Sequence, residues 1–389
     1  MIVLFWICLF IIFYTFLGYG IFLYSLIRIK RLFAKPFVFN ENAILPSVTL
    51  LVAAFNEQDL IQEKVDNCLA LDYPKNKIQI IFITDGSSDN TPEIIKQFTD
   101  IELLHEDIRA GKMAAIKRAI PYIKGEITVF TDANTFLNTE AVKELVKHYQ
   151  NPKVGAVAGE KRIKVDSEAD ASAAGEGFYW KYESALKKWD YELYTSVGAA
   201  GELFSIRTSL YQPVKSDTII DDHMIAMRIA ETGYIIAYEP NAYATETASA
   251  DSKEELKRKI RIAAGGIQSV LRLKKSANPF YNPILTFQYI SHKVLRWTIT
   301  PWLMIFVLIL NIIICLSYPD KILYQIILLA QILFYLASTA GYFLESRKIK
   351  IKILFIPFYF SMMNYAAIAG TLRYFRGNQS AAWEKAKRR

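Results

Sequence analysis

Apolar residues crowd the two ends of this chain. Positions 1–27 carry no charge and 297–373 carry few, whereas the stretch between them is mixed and charged like an ordinary globular domain. A helix needs about 20 apolar residues to cross a bilayer. Lipid offers no partner to backbone amides, so each such run is constrained to be helical. The pattern predicts an amino-terminal transmembrane helix over 1–28, a domain over 45–275, an interfacial segment over 276–296, about three transmembrane helices over 297–373, and a basic tail over 374–389. The later spans fall at about 297–316, 322–344 and 353–372. The uncharged start and the length of the first run distinguish it from a cleaved signal peptide.

Arg28, Lys30, Arg31 and Lys35 follow the first run at once. By the positive-inside rule they remain cytoplasmic, which points the amino terminus outward and puts the domain on the cytoplasmic side of an integral inner or plasma membrane protein. Four spans would then leave the tail outside, although Lys385, Lys387, Arg388 and Arg389 favour the inside. One segment that does not cross would remove the conflict.

The formal charge of +8 comes from basic residues scattered along the chain. No nucleic-acid motif accompanies them, so nucleic acid is not an expected partner, and membrane lipids are. Cys8, Cys68 and Cys315 lie far apart and give neither a disulfide framework nor a metal knuckle.

Within the domain, apolar runs at 47–54, 78–84, 101–105 and 127–131 alternate with helical periodicity at 57–70, 113–123 and 140–149. That rhythm predicts an α/β domain with a parallel, doubly wound, Rossmann-type sheet, whose ligands sit at the carboxyl ends of the strands. The rhythm is lost over 166–215. Helical character returns at 222–232, and 254–271 reads as a basic amphipathic helix.

Three acidic clusters each follow an apolar run: Asp85 in Thr-Asp-Gly-Ser-Ser-Asp, Asp132 in Thr-Asp-Ala-Asn, and Asp221-Asp222 in Ile-Ile-Asp-Asp-His. Carboxylates at strand ends converge on one cleft, where they can hold a metal, a nucleotide and a reacting hydroxyl. No Walker loop and no Gly-x-Gly-x-x-Gly follows the first strand, which disfavours a P-loop ATPase and a dinucleotide dehydrogenase.

Five pieces in order resemble the membrane branch of the family 2 glycosyltransferases, which includes cellulose, chitin and hyaluronan synthases. They are Ala53-Ala54-Phe55-Asn56-Glu57, Thr84 to Thr91, Arg109-Ala110-Gly111-Lys112, Asp132-Ala133-Asn134 and Asp221-Asp222. Arg258-Lys259-Ile260-Arg261 and the following spans continue the series. The resemblance implies a nucleotide-sugar-binding, GT-A-like domain with a mostly parallel sheet, flanked by transmembrane helices. It further implies inverting transfer from a UDP-sugar to a polysaccharide or lipid-linked glycan, forming a β-glycosidic bond.

On this resemblance Asn56, Glu57, Asp85 and Lys112 hold the nucleotide. Asp132 and Asn134 hold Mg2+ or Mn2+, which suits oxygen ligands shared with substrate phosphates. Asn134 departs from the usual Asp-x-Asp. Asp222 is the general base, and Asp221 shapes the site or binds the acceptor. Gly201 lies in an acceptor-side loop, and Arg258 and Arg261, three apart on one helical face, suit a diphosphate. The family's tryptophan after this arginine is Ile262 here. A non-catalytic assembly subunit with a degenerate transferase domain is the alternative.

Overall fold

The computed structural model describes residues 1–35, 37–164, 171–247, 252–347 and 351–377. The basic end of the tail, with Lys385 to Arg389, lies outside them. The first helix, α1, runs over Ile2–Phe33 with a π turn at Tyr14–Gly18. It thus continues past the expected boundary at 28. Its basic end is clamped: Arg31 Nε lies 2.5 Å from Glu192 Oε1, and Lys30 donates to the carbonyls of Glu192 and Leu193. Those carbonyls end a helix, where cations are favoured.

Among the described residues eight strands, numbered in chain order, form one sheet in the order β3-β2-β1-β4-β7-β6-β8-β5. β1 (Val48–Ala54), β2 (Ile78–Asp85), β3 (Glu102–Glu106) and β4 (Ile127–Asp132) pair in parallel, as the alternation predicts. Alternate residues of β1 feed two cores. Leu50 and Val52 pack beneath Ile61, Val65 and Cys68 of α2 (Ile61–Leu69), while Leu51 and Ala53 face Met113 and Ile116. After α3 (Thr91–Ile95), the second of these helices, α4, covers Lys112–Ala119, and α5 covers Ala141–Val146.

The expectation of a mostly parallel sheet holds, with four of the seven pairings among the described strands parallel, but the other half adds antiparallel pairings and makes the sheet mixed. β5 is Phe136–Leu137, and β6 is Val154–Lys164. β7, Phe204–Arg207, runs antiparallel to both β4 and β6, and the 13-residue β8, Ile235–Thr247, is parallel to β6 and antiparallel to β5. β8 carries Pro240, which is tolerated because the β6–β8 register slips there, with Ala158 opposite Tyr238 but Glu160 opposite Tyr243. The stretch that lost its rhythm holds a long helix, α6 (Ala171–Leu193). It is followed by α7 (Asp221–Ala230), α8 (Ser252–Arg272) and α9 (Pro283–Tyr289).

The segment expected at the interface is not a free surface element: Leu285 and Tyr289 join the domain core, and His292 is fully buried. Three apolar helices follow: α10 (Ile299–Ser317), α11 (Ile322–Ser346) and α12 (Lys352–Phe375). With α1 they make four helices among the described residues that are long and apolar enough to cross a membrane. α10 packs along α1, and α11 exposes Leu323, Ile326, Leu329, Leu333 and Leu336. Such a face suits lipid. α12 differs. It lies along α8, so that a Cβ on Gly370 would meet Ala263 Cβ at 2.6 Å, and Leu256 packs on the cluster of Phe355, Phe358 and Tyr359.

Candidate active site

β1 lies between β2 and β4, so the carboxyl ends of three adjacent strands form one shelf. Asp85 closes β2, Asp132 closes β4, and Phe55-Asn56-Glu57 leaves β1 between them. Asn56 turns the chain at φ 53°, in the left-handed region that asparagine tolerates. Its backbone N–H donates to Ser87 Oγ, and its side-chain oxygen accepts from Ser88 N at 2.8 Å. The buried Glu57 donates its N–H to Thr91 Oγ1 at 2.8 Å. The loop after β1 is thereby stitched to the loop after β2.

Asp85 is itself a fastener. Its Oδ2 accepts from the backbone N–H groups of Ala110 at 3.0 Å and Gly111 at 2.6 Å, which places Lys112. Its buried Oδ1 has no hydrogen-bond partner, and Arg118 Nη1 stands 3.6 Å away. Gly86 beside it adopts φ 68°, and a Cβ there would sit 2.8 Å from Arg109 Cα. Arg109 crosses at that point and lays its guanidinium 3.9 Å from the centre of the Phe55 ring.

Lys112 joins the two halves of the cleft. Its Nζ lies 2.9 Å from Asp132 Oδ1 and 3.4 Å from Asp221 Oδ2. A Cβ on Gly201 would meet Asp222 Oδ2 at 3.5 Å and Lys112 Nζ at 3.7 Å. Asp132, Lys112, Gly201, Asp221 and Asp222 therefore cluster at one point. Burial alone would lower Lys112, but Asp132, Asp221 and Asp222 outweigh it and hold its ammonium well above the ordinary lysine range. Burial and the neighbouring Asp221 push Asp222 up to about 7, against the pull of Lys112. Perturbation of this kind, by desolvation and named charges in a cleft, marks functional carboxylates.

Asp221 and Asp222 do not end a strand. Ile219 and Ile220 belong to no strand, and the two aspartates form the first turn of α7, behind Ile220 as cap. Acidic groups are favoured at that helix end. The Asp222 carboxylate takes a backbone hydrogen bond from His223, while Asp221 Oδ2 is buried with no hydrogen-bond partner among the described residues.

The expected diphosphate pair is separated. Arg258 lies 2.9 Å from Glu202 Oε1, with Glu255 at 3.7 Å and Glu246 at 3.9 Å, in a buried network that includes Lys161. Arg261 is half-buried, makes no ion pair among the described residues, and does not line the cavity that Arg258 faces. The reason is angular: three helical residues turn the chain through about 300°, enough to put one guanidinium at the cavity edge and the other off it. Lys161, Glu246 and Arg118 were not among the expected site residues. A single lysine or glutamate in an alternating strand, or an arginine late in a helix, gives no local signal of where it ends. Burial lowers Lys161 to about 8, and the same burial on Glu202 is overcome by Lys161 and Arg258, which hold it deprotonated.

Among the described residues no group of three or more His, Cys, Asp or Glu side chains could hold a metal ion. The pair Asp132 and Asn134 still fits one. Asn134 Oδ1 is buried with no partner, and a divalent cation shared with a diphosphate needs few protein oxygens.

The sequence profile of Glycosyl transferase family 2 matches residues 49–212. The poly-beta-1,6-N-acetyl-D-glucosamine synthase of Staphylococcus epidermidis is 29% identical over 253 residues, 61% of this chain and 60% of the synthase. That of Staphylococcus aureus strain MSSA476 is 30% identical over 261 residues, 63% of this chain and 61% of the synthase. The match thus spans about three-fifths of these curated relatives' length. The mannosyltransferase PcManGT from Pyrobaculum calidifontis, solved in complex with GDP-Man and Mn2+, superposes on 97% of this chain and 100% of its own. The TM-score is 0.71 and the identity 24%, so the likeness is one of fold: a GT-A-like domain with attached helices.

Proposed function

Because residues 49–212 form a Glycosyl transferase family 2 domain, we propose that this protein is an inverting glycosyltransferase. It moves a sugar from a nucleoside diphosphate, UDP in the first instance, to a polysaccharide or lipid-linked glycan at the membrane. One observation carries the reading: Lys112 holds Asp132 and Asp221 at one point, with Asp222 and Gly201 beside it. Asn56, Glu57 and the unpartnered oxygen of Asp85 take the nucleoside. Lys112, on the loop that Asp85 positions, meets the diphosphate as a point charge. Asp222 accepts the acceptor's proton as its hydroxyl attacks the anomeric carbon. The bond from that carbon to the diphosphate breaks on the opposite face, so the configuration inverts. A divalent cation, Mg2+ or Mn2+, held by Asp132 and Asn134 with the diphosphate oxygens, would offset the charge of the departing group.

UDP-N-acetylglucosamine is the first donor to test, given the sugar in the relatives' names. Nucleotide release is measured from a panel of UDP- and GDP-sugars with Mn2+ or Mg2+ in the full chain. Release from one donor that is lost in Asp222→Asn supports the reading. Release surviving that change removes the base, and release from no donor leaves a non-catalytic subunit.

The packing also supports a cytoplasmic domain and tail. Tyr324 lies against Phe5 and Trp6, and Phe334 lies against Phe360, which touches Phe16. Depth is thus shared between α1 and α11. Were α12 perpendicular to the bilayer, Gly370 would stand about 15 Å further out than Phe360, at ~1.5 Å per residue. It meets Ala263 of the catalytic domain instead. α12 therefore rides at the membrane boundary, three helices cross, and the basic tail returns to the side of Arg28 and Lys30, as the positive-inside rule asks. Cysteine labelling of the tail from the cytoplasmic side alone is expected; labelling from outside alone would reverse it.

A further inference from the structure

A cavity of about 470 Å³ opens from the proposed base toward the membrane helices. Its two ends differ in chemistry. The inner end holds Asp222 and His223 with the open backbone of Gly198 and Ala199. The outer end is hydrocarbon: Phe16 and Leu17 of α1 face Ile356, Phe360, Met363 and Ala367 of α12. Between them lies a basic collar. Glu183 faces Lys293, at 2.5 Å, Arg296, at 2.9 Å, and His292, at 3.0 Å, and the other ring nitrogen of His292 meets Asp190 at 2.5 Å. The carboxylates of Asp190 and of Glu160, 4.0 Å from Lys187, do not line the cavity, whereas Lys187, Lys293 and Arg296 do, with Glu183 among them. Burial holds the Lys293 ammonium below the ordinary lysine range, so the collar favours a further anion.

His223 points the same way. It is buried, and its Nε2 has no hydrogen-bond partner among the described residues. Burial lowers it to about 3, so its ring is neutral. Its ring packs against Tyr289 and Trp297, and Gly198 permits the approach, since a Cβ there would meet His223 Nδ1 at 2.4 Å. A buried polar atom left unpaired costs about 1–3 kcal/mol, and it lies on the wall of the same cavity.

Resting on the transferase reading above, we propose that this cavity is the acceptor site and that the acceptor is a lipid-anchored glycan. The hydrocarbon chain lies between Phe16-Leu17 and α12, an anionic phosphate linker lies at the collar of Lys187, Lys293 and Arg296, and the accepting hydroxyl lies at Asp222. The wall toward the membrane offers a naked sugar chain little to bond, whereas every apolar residue of it suits an alkyl chain. The transfer balances without a further reactant. The acceptor oxygen gains the anomeric carbon, the diphosphate takes the electron pair of the broken bond, and the proton passes to Asp222.

The test uses the full chain in nanodiscs and a benzophenone-bearing farnesyl diphosphate as photoprobe, with adducts mapped by mass spectrometry. Adducts are expected on 356–367 or on Phe16 and Leu17. Unlabelled farnesyl phosphate should displace the probe, whereas farnesol and inorganic phosphate should compete roughly tenfold less well, a difference of about 1.4 kcal/mol. Ala367→Trp should suppress the adducts while leaving the melting temperature close to that of the unchanged protein. Adducts confined to other surfaces, or farnesol competing as well as its phosphate, would overturn the site or its anionic collar. Wild-type protein that releases nucleotide from its donor yet gives no cavity adduct sinks the lipid site and leaves the transferase standing. A cavity adduct without release from any donor does the reverse.

Discussion

The donor half and the acceptor half of the cleft are built by opposite means. The donor half is local. Asn56, Asp85 and Asp132 leave three adjacent parallel strands, and short loops bind one another through Ser87, Ser88, Thr91 and the amides of Ala110 and Gly111. The acceptor half is assembled from afar. Asp222 on α7, Gly201 before β7, Glu183 on α6, Lys293 after α9 and Ala367 on α12 meet only because helices from three parts of the chain pack together. A shelf of strand ends is stiff and generic. A cavity between helices is specific, and its shape can change without disturbing the nucleotide.

If that division is real, the largest loss comes where the two halves meet. Asp222→Asn keeps the size and the helix start but removes the proton acceptor. It should lower kcat by about 10³ while the dissociation constant of the nucleotide sugar, read by calorimetry, stays within a factor of a few. A parallel loss of donor binding would show that Asp222 belongs to the donor half. The same carboxyl sets a pH limit. Its titration lies near 7, so below that pH it already carries a proton and cannot take another. The value of kcat/KM should therefore fall on acidification through about 7, by about tenfold per unit well below it. A flat profile from pH 5 to 8 would break the assignment.

Lys112→Met is expected to cost less, on the order of 10² in kcat/KM, the scale of losing one preorganised charge at a developing anion. It should also act across the divide. Lys112 is the cation that pulls Asp222 down, so its removal should move the acidic limb to higher pH. A rate loss with the limb unmoved would confine Lys112 to the diphosphate.

The donor half was legible because its chemistry is contiguous. A strand followed by Asp-Gly-Ser-Ser-Asp or Asp-Ala-Asn states both the fold and the ligand in a few residues, and the parallel pairing of β1 to β4 followed from the alternation alone. The acceptor half was not. Pro240 argues against a regular strand, and the register slip of β8 against β6 is what accommodates it. Arg258 and Arg261 share a sequence spacing but not a partner, because Glu202, just before β7, and Glu246, in β8, reach Arg258 from segments that no periodicity ties to α8. Lys161, on the strand edge, and Glu183, inside a helix, show their charge in the sequence but not their neighbours. α12 was apolar enough for a span, and its place beside α8 depends on small residues at Ala263, Ala264 and Gly370 that composition does not weigh.

The smallest expected effect tests how stiff the donor shelf is. Gly86 sits at φ 68°, a conformation that costs an alanine about 1–2 kcal/mol. Its Cβ would also press on Arg109, whose backbone nitrogen and Cα are each 2.8 Å away. Gly86→Ala should push the Arg109-Ala110-Gly111 loop off Asp85, because the two amide bonds to its Oδ2 need that close approach. The donor KM should rise several-fold, in line with about 1 kcal/mol of lost binding. Probe binding at the membrane cavity should not change, since Arg109, Ala110 and Gly111 are not among the residues that line it. A matching fall in both would mean that the halves are one mechanical unit, with Lys112 transmitting the displacement of its own loop to Asp221.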